Sequence, residues 1–325
     1  MLTVLVDTDP GIDDALALLL AFGSPEVSVE AISTVAGNVP VDAATANVFR
    51  ILDVARPARW PRVARGAAAP LRRPLVTATH HHGEDGLGNL DRLPGGGGSL
   101  SYPAPAHTLE MLDGPDLILE TVARFPGELT LVALGPLTNV AIALARDPGG
   151  LGRLARLVVM GGAVSVPGNV TPAAEFNFFV DPEAAAAVLG AGLPVEVVAL
   201  DVTRQTRLSR RALQDRLGGR SDRRARFVQA FTAHGFDRAA GEDDGGMSLH
   251  DPLAVGVAVD PTLVGFERLH VEVECEGRVA RGLSVADRRP LPPAERMPAN
   301  CAVATSVDAS RFLALFLERL CPASA

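Results

Sequence analysis

The sequence has no lysine: each of the 30 basic side chains in its 325 residues is an arginine. This absence excludes Schiff-base chemistry on a side-chain amine and the phosphate-binding lysine of P-loop enzymes. Aromatic residues are also scarce, at 4% of the chain, whereas apolar residues reach 47%. We therefore expect a sizeable core that is built mostly from Ala, Val and Leu.

Cysteines and long apolar runs are equally sparse. The three cysteines, Cys275, Cys301 and Cys321, have no metal-binding spacing and cannot all pair, so we expect reduced thiols and a cytoplasmic protein. No apolar run reaches the length of a membrane span. We expect no secretory signal, because a strand, a turn and an acidic cluster begin at residue 2. The net charge of −8 argues against nucleic acid or an anionic membrane as the main partner.

The densest chemical information lies in the first fourteen residues. A hydrophobic strand over residues 2–6 leads into four carboxylates, Asp7, Asp9, Asp13 and Asp14. Crowded carboxylates repel each other, and burial at the end of a strand raises that cost. A helix N-terminus accounts for one of them as a cap, not for four. The pattern therefore predicts a hard divalent cation with oxygen ligands, with Asp13 and Asp14 in the first turn of a helix.

Apolar strand-like segments alternate with amphipathic helices along the whole chain. This rhythm predicts an α/β protein with one domain over residues 1–325, whose central sheet is mostly parallel, open and Rossmann-like with helices on both faces. Residues 209–240 are expected to be helical, and 269–274 with 279–286 to add a small antiparallel hairpin. The segments 76–106 and 220–249 are predicted to be mobile parts of an active site. Polar residues follow several strand ends, where open α/β sheets bind ligands.

Seven further blocks accompany the first acidic one, in order along the chain. They are Gly37-Asn38-Val39, Gly135-Pro136-Leu137-Thr138-Asn139, Met160-Gly161-Gly162, Gly168-Asn169, Ala174-Glu175-Phe176-Asn177, Asp181-Pro182-Glu183-Ala184 and His250-Asp251-Pro252-Leu253. With the segment 7–15, these blocks resemble the inosine–uridine-preferring nucleoside hydrolases, the nucleoside N-ribohydrolases. The resemblance implies a metal-dependent glycosidase of purine or pyrimidine salvage and ribonucleoside catabolism, commonly a homodimer or homotetramer, whose partner is a small-molecule ribonucleoside.

The resemblance also implies a role for each matching residue. Calcium ligands would be Asp9, Asp14, the backbone carbonyl of Leu134 and Asp251. Asp9 would in addition be the general base, and His250 would lie beside the leaving base as a catalytic acid. Residues that bind the substrate would be Asp13, Asn38, His82, Met160, Asn169, Glu175 and Asn177.

The chemistry of these residue types is consistent with hydrolysis of an N-glycosidic bond. Carboxylates and a carbonyl are hard oxygen ligands, and Ca²⁺ accepts six to eight oxygens. A metal-bound water activated by Asp9 would attack the anomeric carbon through an oxocarbenium-like transition state. The alternative is a calcium-dependent nucleoside- or ribose-binding protein on an inactive hydrolase fold. A phosphotransferase of the haloacid-dehalogenase type also has an acidic pair at a strand end, but that chemistry normally uses a later lysine.

Several of these residues also have a purely structural interpretation. Asn38 and Asn139 are typical of turns and helix caps, and we favour that interpretation for Asn139. We expect buried hydrogen bonds to hold Asp7, and Asp181 before Pro182 to be an N-cap.

The triplet His80-His81-His82 suggests a metal site at first sight, but no matching Cys or His set follows it. The segment His82-Gly83-Glu84-Asp85-Gly86-Leu87 resembles the family's mobile loop over the substrate, and this resemblance implies that His82 belongs to that loop. The single tyrosine, Tyr102, lies outside the region where some relatives place a phenol beside the leaving base, which leaves His250 as the preferred acid, with His82 and His234 as weaker candidates.

Overall fold

The structure is a computed structural model that describes residues 1–93, 102–106, 108–241, 245–290, 292 and 295–321. The glycine run at 95–98 and the stretch 242–244 lie outside the described residues, so only parts of the two segments predicted to be mobile are described.

The described chain alternates between strands and helices, as the sequence predicts. The strands are β1 (Leu2–Thr8), β2 (Val27–Thr34), β3 (Arg62–Arg65), β4 (Thr130–Ala133), β5 (Arg156–Met160), β6 (Val195–Val198), β7 (Arg207–Leu208), β8 (Met247–Ser248), β9 (Val264–Leu269), β10 (Val271–Val273), β11 (Ser284–Ala286) and β12 (Cys301–Val307). The helices are α1 (Ile12–Gly23), α2 (Val41–Ala55), α3 (Thr79–His82), α4 (Gly114–Arg124), α5 (Thr138–Arg146), α6 (Pro148–Leu151), α7 (Phe176–Val180), α8 (Pro182–Leu189), α9 (Leu200–Thr203), α10 (Arg210–Leu217), α11 (Arg223–Ala239), α12 (His250–Val259) and α13 (Ala309–Leu320).

One large sheet organises the molecule. Its strand order is β3-β2-β1-β4-β5-β6-β12-β9, and every neighbouring pair is parallel except β12 with β9. Two small antiparallel sheets, β10-β11 and β7-β8, are added to it. The predicted single α/β domain with a mostly parallel sheet and an antiparallel addition is confirmed.

Both faces of the sheet are covered because alternate residues of a strand point to opposite sides. In β1, Val4 and Val6 pack into one apolar cluster, with α1, α2, α11, α12 and α13. Leu5 packs into the other cluster, with α4, α5 and α8. Strands buried on both faces read as continuous apolar runs, which is why the buried residues 4–6 of β1 are apolar without alternation.

The turn between β1 and α1 brings the acidic cluster to the carboxyl edge of the sheet. Pro10 and Gly11 end the strand, and α1 begins at Ile12, so Asp13 and Asp14 occupy the first helical turn as predicted. The apolar residues that follow bury α1 against α12 and α13. This packing fixes the position of the two carboxylates relative to the sheet.

Three details differ from the sequence prediction. The helical stretch 209–240 is two helices, α10 and α11, because Gly218 adopts a left-handed conformation with φ 51° and ends the first. The predicted strand 269–274 is divided: Leu269 ends β9 in the main sheet, and Val271–Val273 pairs with Ser284–Ala286 in the hairpin. The edge strand β3 has no clear apolar run and escaped prediction.

The two segments predicted to be mobile contain regular structure where they are described. Residues 76–106 include α3 and a short 3₁₀ turn at Leu90–Arg92, and residues 220–249 include α11 and β8. Their mobility stays a prediction. No helix in the described part of the chain has the length and apolarity needed to cross a bilayer.

Candidate active site

A cavity of about 680 Å³ opens at the carboxyl edge of the sheet. This is the position at which open α/β sheets bind ligands, and the volume is in the range of small-molecule sites. The predicted site residues that line it are Asp13, Asn38, His82, Leu134, Met160, Asn169, Glu175, Asn177, His250 and Asp251. Asp9 and Asp14 lie directly beneath them and are fully buried.

Three carboxylates at the floor of the cavity form a compact group. Asp13, Asp14 and Asp251 each contribute an oxygen, and these oxygens lie within 4.8 Å of one another. Asp13 and Asp14 come from the first turn of α1, and Asp251 comes from the first turn of α12. The compact group thus contains Asp13, whereas the sequence prediction names Asp9 as the carboxylate ligand beside Asp14 and Asp251. Close carboxylate oxygens are the donor set of a hard divalent cation, so this group is one that could hold a metal.

Asp9 extends the group on the sheet side and is surrounded by glycines. A Cβ on Gly37 would collide with Oδ2 of Asp9, and a Cβ on Gly135 would lie 2.6 Å from Oδ1. Oδ2 accepts a hydrogen bond from the backbone N–H of Asn38 at 2.6 Å, whereas Oδ1 is buried without a partner. The glycines of two sequence blocks are therefore explained by the space that one carboxylate requires.

Both carboxylate oxygens of Asp14 have hydrogen-bond partners, whereas only one oxygen of Asp9 does. Its oxygens accept hydrogen bonds from the Thr8 hydroxyl at 2.6 Å, the Gly11 N–H at 2.9 Å and the Asn38 side-chain amide at 3.1 Å. Asn38 thus bonds Asp9 through its backbone and Asp14 through its side chain. Both the structural and the ligand-binding interpretation of Asn38 are compatible with this geometry.

Burial and mutual repulsion disfavour the ionised forms of these acids. Desolvation, together with repulsion from the neighbouring Asp14, raises the pKa of Asp13 to about 7. Desolvation, with repulsion from the neighbouring acids, also raises the pKa of Asp9 and of Asp251 well above the ordinary value. Oδ1 of Asp13, like Oδ1 of Asp9, is buried without a hydrogen-bond partner. A cation among these oxygens would satisfy both atoms and reverse the repulsion, so the residues present fit a divalent metal.

Asn177 connects two strand ends at the wall of the cavity. Its Nδ2 donates to the carbonyl of Leu134 at 2.6 Å and to the carbonyl of Met160 at 3.1 Å. The carbonyl of Leu134, the predicted backbone ligand, therefore accepts this hydrogen bond and keeps a second lone pair.

Glu175 begins the short helix α7 as its N-cap. Its carboxylate accepts the N–H groups of Gly162, Asn177 and Phe178 at 2.8–3.1 Å. It is buried, and desolvation raises its pKa despite those bonds. The carboxylate is thus an architectural element of the cavity wall as well as part of its lining, and its predicted contact with substrate stays a proposal.

His82 presents a defined tautomer. Its Nδ1 lies 3.0 Å from the backbone N–H of Ile12. Because a backbone N–H can only donate, Nδ1 is the acceptor and the proton of the neutral ring is on Nε2. Desolvation lowers the pKa of His82 to about 4, which keeps the ring neutral near pH 7. His82 therefore offers an N–H donor at Nε2.

His250 begins α12 directly before Asp251. Its Nδ1 lies 2.7 Å from the hydroxyl of Thr203, so one side of the ring is engaged. Desolvation, together with the nearby positive charges of Arg204 and Arg207, lowers the pKa of His250 to about 4. The ring is neutral near pH 7, and Nε2 remains for a ligand.

Three residues that were assigned structural roles, Asp7, Asn139 and Asp181, have such roles. The side-chain amide of Asn139 donates to Oδ1 of Asp7 at 2.7 Å and to the carbonyl of Thr34 at 2.9 Å, and the hydroxyl of Ser33 also donates to Asp7. Asn139 is not a helix cap, however, but a buried connection between strands. Asp181 caps α8 by accepting the N–H of Ala184 at 3.0 Å.

Sequence reasoning missed the polar residues after β6. Arg204 lines the cavity, and Thr203 holds His250. Asp201 accepts the N–H groups of Val164 and Ser165, both at 2.8 Å. No spacing rule connects these positions to partners that are 36 to 47 positions away in the sequence. The available signal was a strand end that is followed by polar residues.

Comparison with known proteins identifies relatives over nearly the whole chain. The profile of the family described as inosine-uridine preferring nucleoside hydrolase matches residues 4–314. The chain is 37% identical to the inosine-uridine preferring nucleoside hydrolase of Leishmania major, over 98% of this chain and 96% of that protein. It is also 37% identical to the pyrimidine-specific ribonucleoside hydrolase RihA of Salmonella arizonae, over 98% of both.

A solved structure gives the same result. The purine-preferring ribonucleoside hydrolase from Gardnerella vaginalis superposes with a TM-score of 0.87 at 31% identity, over 98% of both chains. These relatives are nucleoside hydrolases, which hydrolyse the N-glycosidic bond of nucleosides. The chain belongs to the inosine-uridine preferring nucleoside hydrolase family.

Proposed function

We propose that this protein catalyses calcium-dependent hydrolysis of ribonucleosides to ribose and free base. The observation that carries the proposal is the buried acidic group beneath the cavity, in which Oδ1 of Asp9 and Oδ1 of Asp13 have no hydrogen-bond partner. The family supports the reaction, and the acidic group supports a metal. The relatives' names include pyrimidine-specific and purine-preferring enzymes, so no base preference is transferred.

The proposed calcium ligands are Asp9, Asp14, Asp251 and the carbonyl of Leu134. Asp13 is proposed to bind ribose hydroxyls from the edge of the same group. A divalent cation there would neutralise the carboxylates, orient water and sugar hydroxyls, and make the water more acidic. Asp9 suits the role of general base, because its buried Oδ1 has no hydrogen-bond partner and can accept a proton from water.

The reaction then follows from the residues. Asp9 takes a proton from the water that attacks the anomeric carbon, while the bond to the base breaks and its electron pair leaves with the base. Nearby carboxylates stabilise the oxocarbenium-like sugar. Asn38, Met160, Asn169, Glu175 and Asn177 are proposed to hold the ribose, and His82 and His250 to face the departing base. Both imidazoles are neutral near pH 7. His82 carries its proton on Nε2, and His250 carries it there in the tautomer whose Nδ1 accepts a hydrogen bond from the Thr203 hydroxyl.

Two further properties belong to the proposal. Relatives of this kind are expected to be homodimers or homotetramers in the cytoplasm, and the residues select neither assembly. Light scattering that gives a strict monomer of about 33.9 kDa, the mass of one chain, would contradict the oligomer.

The test is release of reducing sugar from a panel of purine and pyrimidine ribonucleosides, with calcium or with chelator. We expect at least one to be cleaved, and cleavage to stop when calcium is removed. The Asp9→Asn variant keeps the acceptor for the Asn38 N–H but cannot take a proton, so kcat should fall about 10²–10⁴-fold. A folded, calcium-loaded protein that binds nucleosides without cleaving any would favour the ribose-binding alternative.

A further inference from the structure

The loop 163–175 connects β5 to α7 and forms one wall of the cavity. It contains Asn169, a proposed ribose ligand, and ends at Glu175. The loop has no regular secondary structure over most of its length. Because Asn169 can bind a sugar hydroxyl only if its backbone is held in place, whatever fixes this loop also fixes the sugar subsite.

Arg204 makes the principal side-chain contact with the middle of the loop. Its Nη1 donates to the carbonyl of Pro167 at 2.8 Å, and its Nη2 donates to the carbonyl of Gly168 at 2.6 Å. The two donors of one planar guanidinium thus hold two successive carbonyls directly before Asn169. Such a charged, two-pronged arrangement is stronger and more directional than a single neutral hydrogen bond.

Asp201, three residues earlier, holds the start of the same loop with the opposite polarity. It accepts the N–H groups of Val164 and Ser165, one on each oxygen. Both residues belong to the turn of α9 that follows β6, so a rigid strand end anchors the loop through a carboxylate and a guanidinium. Asp201 and Arg204 together provide hydrogen-bond partners for four backbone groups of the loop. In a helix or a sheet, such groups would pair with other backbone groups.

The position of Gly168 fixes that of Asn169, which in turn forms hydrogen bonds with the residues that begin α7. A side chain at Gly168 would collide with the backbone of Ala174 and Thr171, because the loop folds back on itself there. The N–H of Asn169 donates to the carbonyl of Ala174 at 3.1 Å, and Oδ1 of Asn169 accepts the N–H of Phe176 at 2.9 Å. This bond uses the acceptor end of the amide and leaves Nδ2, a donor, for a sugar oxygen.

We propose that Arg204 is a positioning residue for the sugar subsite, which acts by holding the carbonyls of Pro167 and Gly168 and through them the side chain of Asn169. The proposal rests on the proposed nucleoside hydrolysis. It differs from a direct contact between Arg204 and the base, which the residue's place in the cavity lining would also allow. The two roles make different predictions for a double mutant.

The first measurement is kinetic. Arg204→Met removes both hydrogen bonds and keeps much of the side-chain volume. We expect KM for a ribonucleoside to rise about tenfold or more while kcat changes by less than about threefold, since the loss affects binding of the sugar in ground and transition state alike. Arg204→Lys keeps the charge without the planar fork, so KM should stay raised. Full recovery with lysine would overturn the proposed mechanism.

The second measurement is a double-mutant cycle with Asn169→Ala. If Arg204 acts through Asn169, the double variant should have nearly the kcat/KM of Asn169→Ala alone. Losses that multiply would mean that Arg204 acts on the substrate independently, and would overturn the proposal.

Arg216→Met is the matched control. Arg216 also donates to backbone carbonyls, those of Leu317 at 2.6 Å and Cys321 at 2.7 Å, but it joins α10 to the end of α13 rather than the cavity. We expect this variant to lower thermal stability and leave KM unchanged. If Arg204→Met behaves in the same way, the role of Arg204 is only structural and the proposal is wrong.

Amide hydrogen exchange separates failure of this inference from failure of the proposed function. In Arg204→Met, the amides of residues 163–170 should exchange at least about tenfold faster than in the parent protein. This readout needs no substrate. Unchanged exchange would overturn the inference even if nucleosides are cleaved, and absence of cleavage in the parent protein would refute the function without affecting the exchange result.

Discussion

Oδ1 of Asp9 faces Gly135 so closely that a Cβ on this glycine would lie 2.6 Å from the oxygen. This oxygen is one of the buried acceptors without a partner, and Gly135 directly follows Leu134, whose carbonyl is a proposed ligand. The glycine after β4 is therefore a requirement of the carboxylate rather than of the turn, because its φ is not among the positive values of the chain.

Gly135→Ala should inactivate the enzyme without unfolding it. The methyl group would meet Oδ1 of Asp9 and, at 2.8 Å, a methyl group of Val35, so Asp9 must move away from its position. A displacement of about 1 Å in a catalytic group costs on the order of 10²-fold in rate. The measurement is kcat/KM together with the thermal midpoint. Gly149→Ala is the control, because a Cβ there has no neighbour closer than 3.8 Å; equal activity of the two variants would contradict the argument.

Asn139→Ala should lower stability strongly. The substitution leaves the carboxylate of Asp7, the carbonyl of Thr34 and the N–H of Ala67 without the buried amide that now pairs with all three. Buried groups that lose their partners cost about 1–3 kcal/mol each, so we expect the free energy of unfolding to fall by about 2–4 kcal/mol. Denaturant unfolding in calcium measures it.

Asn300→Ala is the comparison for that experiment. Asn300 is half-buried, and both ends of its amide bond the backbone of Val271, with no carboxylate involved. We expect a loss of about 1 kcal/mol. If the two asparagines cost the same, the pairing with buried Asp7 is not special.

Asp7 and Asn139 also show what the sequence could predict. That Asp7 is held by buried hydrogen bonds was predictable, because four acids at a strand end exceed what one metal and one cap require. That Asn139 is its partner was not, since the two residues are 132 positions apart. The same limit applies to Thr203 with His250 and to Arg204 with Gly168. Local patterns predict which residues face the carboxyl edge, and the sheet order decides which of them meet.

The alternation of apolar strand-like segments with amphipathic helices predicted the parallel sheet. It could do so because strands that are buried on both faces read as continuous apolar runs. It failed at β3, an edge strand in which Arg62 and Arg65 face solvent or ion-pair partners, and at Gly218, where one positive φ ends a helix that composition would continue. In both cases the secondary structure is set by a local feature, the edge position of a strand or the backbone conformation of one glycine. The average composition of the segment does not reveal either feature.

Calcium should stabilise the protein more at pH 8 than at pH 5. In the metal-free chain, Asp13 has a pKa of about 7 against 3.8 for an exposed aspartate. The folded state then binds more protons than the unfolded state between these values, so metal-free stability falls as pH rises through that window. Calcium removes the penalty by pairing with the ionised acids. The measurement is the thermal midpoint with calcium minus that with chelator, at both pH values.

Asp13→Asn is the control for the pH experiment. It removes one of the acids with a raised pKa, so the metal-free midpoint should depend less on pH than in the parent protein. A calcium increment that is the same at pH 5 and pH 8 in the parent protein would show that the acidic group does not hold the ion.

His250→Ala should slow natural nucleosides much more than a substrate with a good leaving group. When Nδ1 of His250 accepts a hydrogen bond from the Thr203 hydroxyl, the proton of the neutral ring is on Nε2, where it can be donated to a departing base. Loss of a positioned proton donor costs about 10²–10⁴-fold, which we expect in kcat for inosine. p-Nitrophenyl riboside needs no protonation of its leaving group, so its kcat should fall by less than about tenfold.

His270→Ala is the control. His270 lies on the hairpin side of the molecule, where its ring contacts Pro298 and Glu272, and its substitution should change neither rate. Equal losses on inosine and on the nitrophenyl substrate would mean that His250 only shapes the cavity, and His82, whose Nε2 carries the proton, would then be the acid to test by the same pair of substrates.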